Sequence, residues 1–237
     1  MYKESFLMAW ASLIANKLRS LLTMLGIIIG VAAVIALVSI GNGVKQDIED
    51  SISSLGSNLL VVLPGAPRTP GARPSQGSMK SLKISDYEAI AKLDGVKAAS
   101  PMTNGSYVVI YQNKNWTTSV AGVNSNFQDV NNWTMTSGRF FSDKNVQNRE
   151  RVAVVGQTVV KNLFADEDPV GKEIRVKNIP FRVIGVLKSK GNGTMGNDQD
   201  DTVLIPYTTS MERVEGIDYL RRVYVVAKDD ESIDRLD

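Results

Sequence analysis

The chain has 237 residues, of which 43% are hydrophobic and 22% are charged, and its formal net charge is +2. That length supplies enough apolar material for a folded core, and so small a net charge argues against nucleic acid as a partner. The sequence contains neither Cys nor His. Disulfides, thiol nucleophiles and Cys-ligated metals are therefore excluded, and the commonest general base and zinc ligand are missing.

A long apolar run stands near the N-terminus. No residue from Ser20 to Val44 is charged, and Leu21 to Ile40 as a helix would measure about 30 Å, the thickness of a bilayer's hydrocarbon core. A cleaved export signal is the alternative, but its apolar region is shorter, and Ser39-Ile40-Gly41 makes only a faint cleavage site. The run therefore predicts a transmembrane helix over residues 20–43.

Charges on either side of the run predict its orientation. Lys17 and Arg19 precede it directly, whereas acids outnumber the one lysine in Val44 to Asp50. The positive-inside rule places the N-terminus in the cytoplasm and the main domain in the periplasm or outside the cell, so we expect an inner-membrane protein. Residues 1–19, with Trp10 as an interfacial anchor, predict an amphipathic helix on the inner surface. A single longer helix is the alternative.

Two features of the long helix suggest contacts. Gly26, Gly30 and Ala33 form a small-residue face that lets membrane helices pack closely, although GxxxG also occurs by chance. Beyond the bilayer, apolar residues at helical spacing predict a stalk helix over residues 44–57, and the first helix of a globular domain is an equal alternative. The stalk residues are Val44, Ile48, Ile52 and Leu55.

The rest of the chain alternates short strands and helices. Ser85 and Glu88 predict a capping box for a helix that ends near Leu93. A second unit begins near Asn124, and its hairpin pairs residues 172–177 with residues 180–187. The strand Arg222–Ala227 does not obviously belong to that unit and could return to the first one. The remaining predicted strands are 58–63, 106–112, 116–123, 151–155 and 203–206, and the remaining helices are 157–164 and 208–214.

One polar loop could bind a cation. Asp198, Asp200 and Asp201 lie within four residues, and carboxylates are the ligands that calcium prefers. Their spacing does not match an EF-hand, so a solvated Gly-rich loop leading into a strand is the favoured interpretation. The sequence contains no Walker motif and no G-x-S-x-G motif. We therefore predict no catalytic, cofactor-binding or metal residues, and no enzyme activity on this chain.

Several sequence blocks together resemble a known family. They are residues 16–30, Ser137–Phe141, Asp168–Gly171, Phe181–Val186 and Asn197–Pro206. In this order they resemble the MacB-type ABC transporter permeases, a group that includes macrolide exporters and lipoprotein-releasing permeases. The loop that holds Asp198, Asp200 and Asp201 resembles the macrolide-exporter branch.

The resemblance implies an α+β fold with one membrane helix and a two-lobed extracytoplasmic domain. A porter-like sandwich (58–123 and 220–237) would carry an inserted second α+β lobe (124–219). The resemblance also implies a permease subunit that converts ATP hydrolysis elsewhere into movement of its periplasmic domain, a process called mechanotransmission. Such a subunit would export drugs, peptides or other envelope substrates.

The resemblance implies partners as well. We expect a cytoplasmic ABC ATPase subunit that holds the ATP and Mg, no cofactor on this chain, and a homodimer or a permease pair in the lipid bilayer. A membrane fusion (adaptor) protein and an outer-membrane channel are possible further partners of this assembly. The last residues, 229–237, look like the start of a helix, which predicts continuation into further membrane helices. The alternatives are a single-span envelope ligand-binding or sensor protein, and a secreted enzyme cleaved near Gly41.

Overall fold

The computed structural model of the protein describes residues 3–4, 8, 17–55, 58–65, 80–165, 167–193 and 196–228. The chain divides into two compact units, residues 1–50 and residues 51–237. The first unit is dominated by one helix. The second unit contains all the strands of the described part of the chain and a few short helices.

Helix α1 extends from Lys17 to Leu55 without a break and has 39 residues. At 1.5 Å per residue it is roughly 58 Å long, about twice the thickness of a hydrocarbon core. Gly41 and Gly43 both lie inside it, although glycine costs about 1 kcal/mol relative to alanine in a helix. The predicted membrane and stalk segments are therefore parts of one helix. Most of the predicted interfacial helix, residues 1–19, lies outside the described residues.

A small sheet forms one part of the second unit. Strand β1 (Leu59–Val62) pairs with β9 (Arg222–Ala227), and β9 pairs with residues Val96–Met102 of β2 (Val96–Tyr111), all antiparallel. Helix α2 (Ile84–Ile90) precedes β2. A strand from the end of the chain thus lies between two strands from its beginning.

The remaining strands are β3 (Lys114–Val123), β4 (Met135–Gly138), β5 (Val152–Val155), β6 (Glu173–Val176), β7 (Ile179–Leu187) and β8 (Thr202–Pro206). Together with β2, all of them except β4 close into a barrel. Residues Thr103–Tyr111 of β2 pair with β3 and β6, and the other pairings join β3 to β8, β8 to β5, β5 to β7 and β7 to β6. The ring is therefore complete, and β4 pairs with the outer part of β7.

Short helices connect and cover the barrel strands. Helices α3 (Phe127–Val130), α4 (Asp143–Gln147) and α5 (Gln157–Leu163) lie between the strands in chain order. After β8, the short helix α6 (Tyr207–Thr209) leads into a wide π-helical turn, Ser210–Glu215. Gly216, in the left-handed conformation at φ 66°, ends that turn.

Alternating side chains on the barrel strands make two cores. Residues such as Val109, Val120 and Phe181 face inward and pack with α5, whereas Val152, Val154 and Leu204 pack on the outside with α3 and α4. A third cluster lies against the small sheet and includes Val223, Val225 and Leu220. The period of two along each strand produces this division, because successive side chains point to opposite faces.

The structure corrects two local predictions. The N-cap of α2 is Lys83 rather than Ser85, and the Asp86 carboxylate, not that of Glu88, accepts the hydrogen bond from the Lys83 backbone N–H at 2.8 Å. Strand β2 begins at Val96 instead of residue 106. Pro101 and Gly105 argue locally against a strand, but pairing with β9 and β3 overrides that preference.

The predicted hairpin is present, but its turn lies one residue earlier than the predicted residues 178–179. Strands β6 and β7 pair in register from Glu173 opposite Arg182 to Val176 opposite Ile179. Lys177 and Asn178 make the turn, both with positive φ (50° and 66°), as a two-residue hairpin turn requires.

The mixed α/β class with an N-terminal apolar helix is confirmed, while the boundaries between the two predicted lobes stay a prediction. β3 lies in the predicted first lobe and pairs with β8 of the predicted second lobe.

Candidate functional site

The apolar helix is the first candidate site. The most apolar 18-residue stretch within Lys17–Lys45 has a mean hydropathy of 2.9, and none of its residues is buried in the part of the chain that the structure describes. Leu21, Ile27 and Leu37 are 66%, 67% and 74% exposed. A water-soluble fold would not leave such a surface bare, whereas a bilayer would cover it.

A polar group inside this helix is satisfied locally. The Thr23 hydroxyl lies 3.0 Å from the carbonyl oxygen of Arg19 and 2.9 Å from that of Ser20. A hydroxyl bonded back to its own helix enters hydrocarbon at little cost. The surface of the helix is therefore compatible with lipid along its whole apolar run.

The residues predicted to pack or anchor this helix are exposed where the structure describes them. Gly26, Gly30 and Ala33 share one face, and a Cβ added at either glycine would meet no atom within 4 Å. Lys17 and Arg19 are exposed at the start of α1, and Trp10 lies outside the described residues. The packing face and the anchors therefore stay predictions.

The stalk residues lie on the continuous part of α1 after the apolar run. Val44 is 53% exposed. Ile48, Ile52 and Leu55 belong to the helix, but their side chains lie outside the described part of the structure. The predicted apolar stripe of the stalk is untested.

The aspartate loop is the second candidate site. Asp200 is only 5% exposed, and its carboxylate accepts hydrogen bonds from the Ser189 hydroxyl and from the backbone N–H groups of Lys190 (2.8 Å) and Gly191 (3.1 Å). Several donors aimed at one buried carboxylate compensate for its removal from water. Asp200 therefore closes the turn that begins at Ser189.

The two neighbouring aspartates bond in other directions. Asp198 accepts from the Thr158 hydroxyl at 2.6 Å and from the Asp200 backbone N–H at 2.8 Å. Asp201 accepts from the indole N–H of Trp116 at 2.8 Å. The three carboxylates thus attach the loop to α5, to β3 and to itself. Among the described residues, no group of three or more acidic side chains lies close enough together to hold a metal ion.

The backbone of this loop also contacts α5 closely. The Thr158 N–H donates to the Asp200 carbonyl oxygen (3.2 Å), and the Gly156 N–H donates to that of Thr202 (2.9 Å). A Cβ at position 156 would overlap the Asp200 carbonyl oxygen, so only glycine fits there. The loop is an anchored structural element of the barrel.

One cation lies beside this loop. The Lys190 ammonium is 4.5 Å from the centre of the Trp133 ring and donates to the Asn131 carbonyl oxygen. Burial lowers the pKa of Lys190, and the nearby Asp200 carboxylate partly opposes that effect. The cation–π contact stabilises the charged form in this half-buried position.

Sequence reasoning missed a buried polar cluster between the small sheet and the barrel. The hydroxyls of Thr103 and Ser210 are 2.9 Å apart, and Ser210 donates to the Glu215 carboxylate at 3.1 Å. The side chain of Glu215 is 3% exposed and lies 3.8 Å from the Arg221 guanidinium. Thr103 lies 107 residues before Ser210 in the chain, and no motif joins them, so nothing in the sequence could have indicated the cluster.

Comparison with known proteins identifies the family to which this architecture belongs. Residues 20–237 match the family described as the MacB-like periplasmic core domain. The chain belongs to that family. Two proteins named macrolide export ATP-binding/permease protein MacB, from Rhodospirillum rubrum and Marinobacter nauticus, are 45% and 41% identical over 98% and 100% of this chain. The chain spans about a third of their length, 36% in each case.

Solved structures agree with this assignment. The periplasmic region of MacB from Actinobacillus actinomycetemcomitans is 27% identical, with a TM-score of 0.65 over 78% of this chain and 85% of that one. The extracellular domain of the noncanonic ABC-type transporter YknZ from Gram-positive bacteria is 21% identical (TM-score 0.63, covering 76% and 88%) and shares the fold. This chain is thus a membrane protein of the MacB-like ABC transporter permease family with an extracytoplasmic domain.

Proposed function

We propose that the chain is the transmission part of an export permease. In this proposal a cytoplasmic ATPase, expected on a separate subunit that holds ATP and Mg, drives movement of the extracytoplasmic domain through α1. The exported molecules would include macrolides, as the names of the relatives suggest. This chain itself would carry no catalytic residue.

The observation that supports the proposal best is the continuity of α1. The helix remains unbroken for 15 residues after Ile40, from Gly41 to Leu55. A helix is stiff over that distance, whereas a flexible linker would absorb a displacement. A tether or a ligand sensor would not need a rigid segment at this position.

Orientation and pairing complete the proposal. Lys17 and Arg19 at the start of α1 favour a cytoplasmic N-terminus. The open face of Gly26, Gly30 and Ala33 can accommodate a second membrane helix, from another copy or from a paired permease. An adaptor protein and an outer-membrane channel remain expectations from the resemblance.

The test is to break the stalk. Gln46→Pro removes a helical hydrogen bond and costs about 3 kcal/mol or more in a helix interior, whereas Gln46→Ala keeps the helix. In the assembled transporter, reconstituted in vesicles, the proline variant should hydrolyse ATP but lose ATP-dependent macrolide transport. The alanine variant should retain both activities. Transport by the proline variant at the alanine level would contradict transmission through a rigid stalk.

A further inference from the structure

In the part that the structure describes, the chain crosses between the small sheet and the barrel at two places. The first crossing lies inside β2, where Met102 pairs with β9 and Thr103 pairs with β3. The second is the connection from β8 to β9, which contains the π-helical turn Ser210–Glu215. A change in the angle between the sheet and the barrel must bend the backbone at these two crossings.

The two crossings are bonded to each other. The Arg221 backbone N–H donates to the Met102 carbonyl oxygen at 3.0 Å. One residue further along β2, the Thr103 hydroxyl meets that of Ser210 at 2.9 Å, and both residues are fully buried. Neither crossing can therefore bend without separating buried groups from their partners.

The direction of the hydrogen bonds follows from the chemistry of the groups. A hydroxyl has one hydrogen, and that of Ser210 goes to the Glu215 carboxylate, so Thr103 must donate to Ser210. The chain of donors ends on a buried charge that is paired with Arg221. Hydrogen bonds in such a series strengthen one another, and breaking one leaves a buried charge undersatisfied.

Close packing leaves no room for this cluster to rearrange. A Cβ at Gly122 of β3 would lie 2.5 Å from the Thr103 hydroxyl oxygen and would overlap Ser210. A second contact links the same two parts: the Asn124 amide donates to the Tyr87 hydroxyl of α2 and to the Ala99 carbonyl oxygen of β2, each at 3.0 Å.

From this geometry we infer that the Thr103–Ser210–Glu215–Arg221 cluster is a lock that holds the small sheet and the barrel at one fixed angle. The extracytoplasmic part then moves as one rigid body and does not flex at the joint between its two parts. This inference concerns the second unit alone and stands whether or not the chain transmits movement for export.

A distance measurement between spin labels tests the lock. The chain has no cysteine, so labels can be attached through Lys97→Cys on the small sheet and Arg175→Cys on the barrel, both exposed positions. Double electron–electron resonance on the full chain in nanodiscs then reports the distribution of distances. Thr103→Val removes the hydroxyl and keeps the shape, and Thr103→Ser keeps the hydroxyl. Ser210→Ala interrupts the series at its centre.

We expect a narrow distribution in the parent and in Thr103→Ser, and a width about doubled in Thr103→Val and Ser210→Ala. Val159→Ala, in the barrel core, controls for loss of stability without contact to the cluster. Thr103→Val alone supplies the measurement if Ser210→Ala does not fold. The inference is overturned if the hydroxyl-deleting variants stay as narrow as the parent, or if Val159→Ala broadens the distribution equally.

Discussion

Asp200→Asn should destabilise the extracytoplasmic part far more than the same change one residue later. Asp200 is buried and accepts hydrogen bonds from the Ser189 hydroxyl and from the N–H groups of Lys190 and Gly191. Asparagine has the same shape but only one acceptor oxygen, and its NH₂ group would face a donor. At least one buried N–H or hydroxyl would therefore lose its partner, and the remaining bonds would lose their ionic character.

The expected cost follows from these lost bonds. A hydrogen bond to a charged group contributes about 1.5–3 kcal/mol, and an unsatisfied buried donor costs about 1–3 kcal/mol. Relief of carboxylate burial offsets part of this sum. We therefore expect Asp200→Asn to lower the free energy of unfolding by about 2–4 kcal/mol.

Urea unfolding of the full chain in detergent, followed by tryptophan fluorescence, measures this cost. With a slope near 2 kcal/mol per molar urea, the midpoint should fall by about 1–2 M. Asp201→Asn is the matched control, because Asp201 accepts one bond, from Trp116, which an amide oxygen can also accept. A midpoint for Asp200→Asn within about 0.2 M of that control would refute the role assigned to the carboxylate.

Two further predictions concern alkaline pH and close packing. Burial raises the pKa of Tyr87 above its ordinary value, so the folded state holds this proton longer than the unfolded state; stability is full below pH about 10 and falls as the pH rises further. When the free energy of unfolding is measured in urea at several alkaline pH values, Tyr87→Phe should weaken its fall with pH. An unchanged fall would contradict the role assigned to Tyr87. Gly122→Ala and Gly156→Ala should each lose about 1–3 kcal/mol in urea unfolding, because the added methyl meets Ser210 or the Asp200 carbonyl. Gly65→Ala, with no atom within 4 Å of its Cβ, should change stability little, and equal losses at all three positions would contradict the packing explanation.

The elements that the sequence predicts well are those whose signal is local. The length of the apolar run alone predicts the part of α1 that could cross a membrane. In β6, Ile174 and Val176 are buried and Glu173 and Arg175 are exposed, so the alternation itself indicates a half-buried strand. The hairpin of β6 and β7 can also be predicted, because its two strands are adjacent in the chain and separated by a short turn.

Closure of the barrel cannot be predicted from the sequence in the same way. It depends on Val109 of β2 lying opposite Val176 of β6, residues far apart in sequence whose pairing leaves no local mark. The start of β2 was missed for the same reason, since Pro101 is held in the strand by β9 from near the end of the chain. Local propensity yields to tertiary pairing at such positions.

The sequence predicts the polar sites less well than the helices and strands. Asp198, Asp200 and Asp201 form a visible cluster, and three nearby carboxylates suggest a shared ligand. In the structure the three carboxylates accept hydrogen bonds from separate donors on α5, on β3 and in the loop itself. Proximity in sequence therefore says little about convergence in space, because consecutive side chains in an irregular loop can point in any direction.

The buried carboxylates of Asp200 and Glu215 stabilise the fold. Each accepts hydrogen bonds from its own chain. Their loss should therefore change how stiffly the strands are held together. We expect variants at both positions to affect unfolding and distance distributions before they affect recognition of any exported molecule.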